Sequence, residues 1–293
     1  MTNYSMHLIN VRRQLVRIAG IVLLIAATIV VVRSRAIAQS TATISQPFTL
    51  SANSHRPLVD ILDKIQALYK VPINFEEVPY QYSGDMEFRT VSTKSGPAQY
   101  ATPIEGQLNV KLDGHDVNAL EAVRSVVNAY SMSGLPGIYT VEEVKGRIYV
   151  VPLKVRGTSD TMESITAMMN RQITFPVAER PVTITIGMLV DSLSKVSGQR
   201  VVLLDEHLPD EATVELGANN ESFRDIMSSF IEKVGQRLYF RLIYAPNDKT
   251  YYLNLEAVLT TPVGGFSTEK TSPANSSVLS KPPADSPFFT KDK

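Results

Sequence analysis

Apolar residues recur at helical spacing in four stretches of this chain. Phe223, Ile226, Met227, Phe230, Ile231 and Val234 form one stripe and predict a helix over Phe223–Val234. Asn219 or Asn220 is placed to cap its start, and Gly235 to end it in a left-handed turn. Leu58, Ile61, Leu62, Ile65 and Leu68 do the same over Pro57–Lys70, where Pro57 suits a first turn. Leu120, Val123, Val127 and Tyr130 predict a helix over Val117–Tyr130, with Asp116 as its cap. Ile186, Leu189, Val190, Leu193 and Val196 predict a fourth over Ile186–Val196, before Gly198. Each helix is apolar on one side and needs a sheet to lie on.

The intervening segments supply strands. Val71–Phe75 is short and apolar. Leu108, Val110 and Leu112 alternate with polar neighbours, which suits a sheet with one wet face. Val201–Leu204 is an unbroken apolar run, expected to be covered on both faces, and Val214–Leu216 is a further short strand. Two hairpins close the pattern, one over Ile138–Val151 turning at Lys145-Gly146, the other over Leu238–Leu255 turning at Pro246-Asn247-Asp248. The expected fold class is α+β: two tandem helix-on-sheet units, 44–156 and 172–258. Residues 79–104 form an irregular insertion in the first unit, with a strand at Met86–Val91. Residues 157–171 are a linker, signalled by Gly157-Thr158-Ser159-Asp160, with a short helix bearing Met162, Ile165, Met168 and Met169 on one side.

The two ends differ in kind from the middle. Arg12, Arg13 and Arg17 precede an apolar stretch, Ile18–Val32, and Ala36-Ile37-Ala38 offers a signal-peptidase site before Gln39. Arg33 and Arg35 lie where cleavable signals avoid charge, so residues 1–38 read either as a cleaved signal peptide or as an uncleaved inner-membrane anchor. Both readings export the remainder, to the periplasm. Residues 259–293 are rich in Pro, Ser, Thr and Lys and are expected to be disordered, with Phe288-Phe289 as their one bulky pair.

Charge and chemistry narrow the function. The 29 basic and 29 acidic residues balance overall, but five Arg and no acid lie in residues 1–38. The remainder therefore holds 24 basic against 29 acidic residues, a net charge of −5. That is a poor match for nucleic acid, which needs a basic footprint. The absence of Cys excludes disulfides, thiolate metal sites and cysteine catalysis. His7, His55, His115 and His207 are far apart, and a metal site would need them to meet acids such as Glu77 or Asp205. Glu76-Glu77 and Asp205-Glu206 each leave a strand beside a proline; acid–base work is one reading and turn chemistry the simpler one. Ser131 and Ser133 follow a helix and lack the setting of a nucleophile. The sequence yields no catalytic residue, cofactor or metal site.

Phe48-Thr49-Leu50, the helix after Pro57, Ile73-Asn74-Phe75, Val110-Lys111-Leu112, the helix around Leu120 and Ile148-Tyr149-Val150-Val151-Pro152 resemble the short domain at the N-terminus of secretins and TonB-dependent receptors. Phe175–Leu255 resembles a second, more divergent copy. The resemblance lies in apolar positions, not in a catalytic motif. It implies a small βαβ–βαβ-type fold and a periplasmic docking role. The implied partners are envelope proteins, among them a component of secretion or outer-membrane transport. No secretin or receptor barrel follows these copies within the 293 residues, so pore formation and nutrient uptake are not implied.

Protein docking is thus the leading expectation. Binding of a cell-wall or surface polymer through exposed Tyr80, Tyr82 and Tyr251 is the alternative, ahead of an enzyme. Small sheets end in open edges, and an open edge accepts a partner strand. The closing hairpins combine Tyr and β-branched residues with polar turns. Ile148, Tyr149, Val150 and Val151 in the first, and Leu238, Tyr239 and Phe240 in the second, are the expected docking edges. Cover by the insertion or by the tail is the competing expectation.

Overall fold

The computed structural model describes residues 47–93, 96–113, 118–204, 208, 212–235 and 237–258. The leader, the tail, Asp116, His7, His115, His207 and the Asp205-Glu206 pair lie outside the described residues.

The described chain is a mixed α+β protein with four α-helices. Its first half runs β1 (Phe48–Ser54), α1 (Pro57–Tyr69), β2 (Ile73–Glu76), β3 (Met86–Thr93), β4 (Gly96–Pro103), β5 (Gly106–Leu112), α2 (Ala119–Met132), β6 (Ile138–Val144) and β7 (Arg147–Arg156). A short strand, β8 (Met162–Ser164), and a 3-10 turn at Met168–Asn170 lead into the second half. That half runs β9 (Gln172–Pro181), α3 (Val182–Ser197), β10 (Arg200–Leu203), β11 (Thr213–Ser222), α4 (Phe223–Val234), β12 (Leu238–Ala245) and β13 (Thr250–Ala257).

The helices follow their stripes. Leu58, Ile61, Leu62 and Ile65 of α1 are buried, as are Val123 and Val127 of α2, while Leu120 is half-buried. Ile186, Leu189, Val190 and Leu193 of α3 are buried, and Val196 at its end is exposed. In α4, Phe223, Ile226, Met227, Phe230 and Ile231 are buried. Pro57 opens α1, and Gly198 and Gly235 end α3 and α4 with left-handed backbone. Two caps differ from expectation. Asn118 caps α2 by accepting from the Glu121 N–H. Ser222, not Asn219 or Asn220, caps α4: its Oγ accepts from the Asp225 N–H at 3.2 Å. The asparagines lie within β11, which runs unbroken to Ser222. Ser222→Ala should therefore cost about 1 kcal/mol in denaturant unfolding, and Asn219→Ala close to nothing.

Two antiparallel ribbons flank the main sheet: β1 with β5, and β9 with β11. Strand β11 is longer than the Val214–Leu216 expectation: its pairing with β9 continues to Ser222 through register shifts on either side of Ala218. At one shift, a Cβ on Gly217 would meet the Val177 backbone at 2.5 Å, so only glycine lets the strands approach there. The insertion is not irregular. Its Met86–Thr93 and Gly96–Pro103 strands pair along their whole length, and most of their residues are exposed. The short helix expected around Met162 is instead the strand β8 on β7, followed by the 3-10 turn that buries Met168 and Met169.

The main sheet holds strands from both halves in the order β10-β13-β12-β2-β7-β6, with β8 also on β7. In the first half β2 runs parallel to β7, and β6 and β7 form a hairpin. In the second, β10 runs parallel to β13, and β12 and β13 form a hairpin. The halves meet where β2 and β12 pair in parallel.

Two hydrophobic clusters lie against this sheet. Ile73, Phe75, Ile148 and Val150 join α1 and α2 in one cluster. Tyr149 and Val151, the alternate residues of β7, join α3, α4, β12 and β13 in the other. Successive side chains of a strand point to opposite faces, so β7 contributes to both clusters, one through each face.

Candidate functional site

The seven residues expected at open edges are interior. Strand β7 has β6 on one side and β2 on the other; β12 lies between β13 and β2. Ile148, Tyr149, Val150, Val151, Leu238, Tyr239 and Phe240 are all buried. The physical reason is that both faces of these strands are covered and both flanks are paired. A run such as Ile148–Val151, without polar alternation, is the mark of such a strand. These residues therefore offer no partner a free edge. The edges of the main sheet are β10 and β6. The expectation that Val201–Leu204 is covered on both faces is corrected with them: Val201 is buried, Val202 and Leu203 are half-buried, and Leu204 is exposed.

Of the polar groups that the sequence singled out, Glu76 and Glu77 lie where the halves join, together with Asn74. Asn74, on β2, is fully buried. Its Nδ2 donates to the Ile148 carbonyl at 3.2 Å, and its Oδ1 accepts from the Phe240 N–H at 3.0 Å. One side chain thus satisfies a main-chain group on each neighbouring strand. Glu76 accepts from the Met168 and Met169 N–H groups at 2.6 and 2.8 Å. Glu77 accepts from Arg56 Nε, from the Tyr80 hydroxyl at 2.6 Å and from the Tyr244 N–H at 2.9 Å, and its own N–H donates to the Leu242 carbonyl. Arg241 of β12 reaches Asp63 of α1 and lies over the Tyr239 ring. Arg237 Nη2 donates to the Lys70 carbonyl, and Arg147 Nη1 to the Leu238 carbonyl.

These contacts replace the turn chemistry expected of Glu76-Glu77. Both carboxylates are buried and hydrogen-bonded across the joint. Burial pushes the Glu76 carboxyl up to about 7, against the pull of the Met169 and Met168 N–H groups and the Arg171 charge. Burial also raises Glu77, opposed chiefly by Arg56. A narrow cleft approaches Glu77 between His55, Pro103, Leu135 and Pro136. Tyr139 also lines it, with its hydroxyl accepting from the Val78 N–H.

The aromatic residues proposed for polymer binding are also committed. Tyr251 is buried and stacks edge-on with Tyr244. Tyr80 is half-buried on Glu77, and Tyr82 lies under Arg156. Among the described residues the exposed aromatics are Phe88 and Tyr100, on the insertion hairpin, which sequence periodicity did not single out. That hairpin is pinned to the second half: Asn247, in the β12–β13 turn, both accepts from the Ala101 N–H and donates to its carbonyl. His55 Nδ1 lies 2.7 Å from the Pro103 carbonyl, and its Nε2 faces Glu87. Ser131 and Ser133 donate to the carbonyls of Val127 and Tyr130 at the end of α2. Among the described residues no three His, Asp or Glu converge as a metal site would need.

No protein-family model, curated protein or solved structure matches this chain.

Proposed function

We propose that this chain is a non-enzymatic docking module of the bacterial envelope, built from two copies of one unit. The unit is related to the short N-terminal domain of secretins and TonB-dependent receptors. What supports duplication is the pairing. In each half, the strand before the first helix pairs antiparallel with the strand before the second: β1 with β5, β9 with β11. In each, the strand after the first helix runs parallel to the last strand of the closing hairpin. Single positions agree as well. Gln66 of α1 caps the Ile73 N–H at 2.9 Å, and Ser194 of α3 caps the Val201 N–H at 3.0 Å. Asn118 and Ser222 cap the second helix of each half in the same way.

The observation that carries the docking reading is the joint itself. One half already receives the other by strand addition at β2, the mode in which an open sheet edge takes a partner. The buried acids that would suggest chemistry are engaged in holding that joint. In this reading residues 1–38 direct export, and Ile18–Val32 anchor the chain in the inner membrane where the leader is not cut. The partner is an envelope protein of secretion or outer-membrane transport.

The test sets capture of purified envelope proteins by the full chain against a glycan array. The expected result is saturable capture of a defined envelope protein and no glycan signal. Saturable glycan binding without protein capture would replace docking with polymer binding.

A further inference from the structure

The internal joint is asymmetric, and that asymmetry leaves a matching pair of edges without a partner strand among the described residues. It uses the strand after the first helix from one half, β2, and the first strand of the closing hairpin from the other, β12. The same two positions, exchanged between halves, are β10 and β6. Those are the two edges of the main sheet.

Direction agrees. Strand β6 is antiparallel to β7, which is parallel to β2 and, through it, to β12; β13 is antiparallel to β12, and β10 is parallel to β13. Two reversals cancel, so β6 and β10 run the same way. A second copy laid beside the first along the sheet would bring its β10 parallel to β6, as β2 is parallel to β12.

The exposed main-chain groups agree too. In β2 the Ile73 N–H is taken by Gln66, Phe75 and Glu76 pair with β12, and the Glu77 N–H reaches Leu242. In β10 the Val201 N–H is taken by Ser194 in the same manner. The Leu204 N–H turns inward to the Leu253 carbonyl, so the alternation of a strand turns Leu203 outward. Leu203 therefore presents the groups that Phe75 uses in the joint. On β12 the groups facing β2 belong to Phe240, Leu242 and Tyr244. Val141 pairs with Val150 as Leu242 pairs with Leu253, which places Tyr139, Val141 and Glu143 in the outward set of β6. Opposite Tyr139 stands Pro152, which has no N–H to give.

We propose that a second copy of this chain is the partner of these edges, its β10 adding in parallel to β6 and extending the main sheet from molecule to molecule. The register of the internal joint, Arg241 beside Phe75 and Leu242 beside Glu76, places Thr140 beside Leu203 and Val141 beside Leu204. Asp191 is exposed on α3 where Asp63 stands on α1; Thr140, in the place of Arg241, supplies a hydroxyl to it. Leu204, exposed in the single chain, is covered in the pair. Such a contact is heterologous: each copy gives one edge and receives at the other, so the series runs on and does not stop at two. The proposal rests on the duplication and docking reading above and names its partner.

The chain has no cysteine, which makes directed cross-linking clean. Thr140→Cys and Leu203→Cys are made singly and together in the full chain, kept in mild detergent and oxidised. Neighbouring strands bring Cα atoms within disulfide reach. The double variant should give a ladder of dimers, trimers and higher species on a non-reducing gel. A mixture of the two single variants should give dimers, and each alone should remain a monomer. Circular dichroism confirms that every variant is folded.

No ladder and no mixed dimer from folded variants would overturn the proposal. So would equal dimerisation by Leu203→Cys alone, which marks a two-fold pairing of β10 with itself. If the same unlinked variants still capture an envelope protein, self-assembly falls and docking stands. If they capture none, both fall.

Discussion

Replacing Phe230 by alanine is expected to destabilise the protein by about 3–5 kcal/mol. The ring is fully buried in the second cluster, on the stripe that also carries Ile226, Met227 and Ile231. Truncation removes its transfer free energy and leaves a cavity that neighbours fill only in part. Collapse is restricted because α4 is held at both ends, by the Ser222 cap and by the left-handed Gly235. Its middle is tied to the sheet, where the Ser228 and Tyr149 hydroxyls lie 2.5 Å apart. Phe88→Ala is the control. That ring is 59% exposed on the insertion hairpin, and its loss should stay within about 0.5 kcal/mol. Urea unfolding of both variants checks the pair; equal losses would mean that the second core is not where these contacts place it.

Stability is also expected to fall as pH rises through neutrality. The Glu76 carboxyl is raised from an ordinary 4.5 to about 7 by burial, against the Met169 and Met168 N–H groups and Arg171. Tyr251 is raised by burial and, beyond that, by the nearby Glu76 and Glu77 carboxylates. A raised carboxyl means that the folded state holds its proton more tightly than the unfolded chain does. The resulting stabilisation is complete below the unfolded value and is lost as pH climbs through about 7. Its size is on the order of 3 kcal/mol. Glu77 is raised as well and acts in the same direction. Denaturant unfolding between about pH 5 and about pH 8 should show the decline. Glu76→Gln should flatten the Glu76 share of the slope. It should also lower stability throughout, because an amide cannot accept from both the Met168 and Met169 N–H groups. A slope unchanged by that substitution would contradict the assignment.

Much of the fold was legible because helix stripes are local. Phe223–Val234 is the helix read from its spacing, and Gly198 and Gly235 end helices as their positions suggested. The α4 cap was misplaced because Asn219-Asn220-Glu221 are polar and mostly exposed yet continue β11 as far as Ser222. Polarity alone reads as loop. In the insertion the strand at Met86–Val91 was legible, but its partner Gly96–Pro103 was not, for a related reason: a ribbon without a buried face shows no alternation of apolar and polar residues, and its order lies in cross-strand pairing.

The joint was the least legible part. The apolar runs at Ile148–Val151 and Leu238–Phe240 do record that both faces are covered. Which strands flank them depends on parallel pairs between segments far apart in sequence, on β2 beside β7 and β12 beside β2. Local pattern holds no trace of such pairs. Asn74, Glu76 and Glu77 were visible only as polar residues in and just after a short strand; their partners on Phe240 and Tyr244 are contributed by the second half, and the one on Met168 by the segment that leads into it.

Strand addition between β2 and β12, reinforced by these buried side chains, holds the two halves as one particle. A protease site placed at the exposed Thr158–Asp160 tests this, since that turn precedes Met168 and Met169 and lies between the halves. After complete cleavage, the two pieces should elute together by gel filtration and separate only in denaturant. Two folded pieces migrating independently under native conditions would contradict the claim.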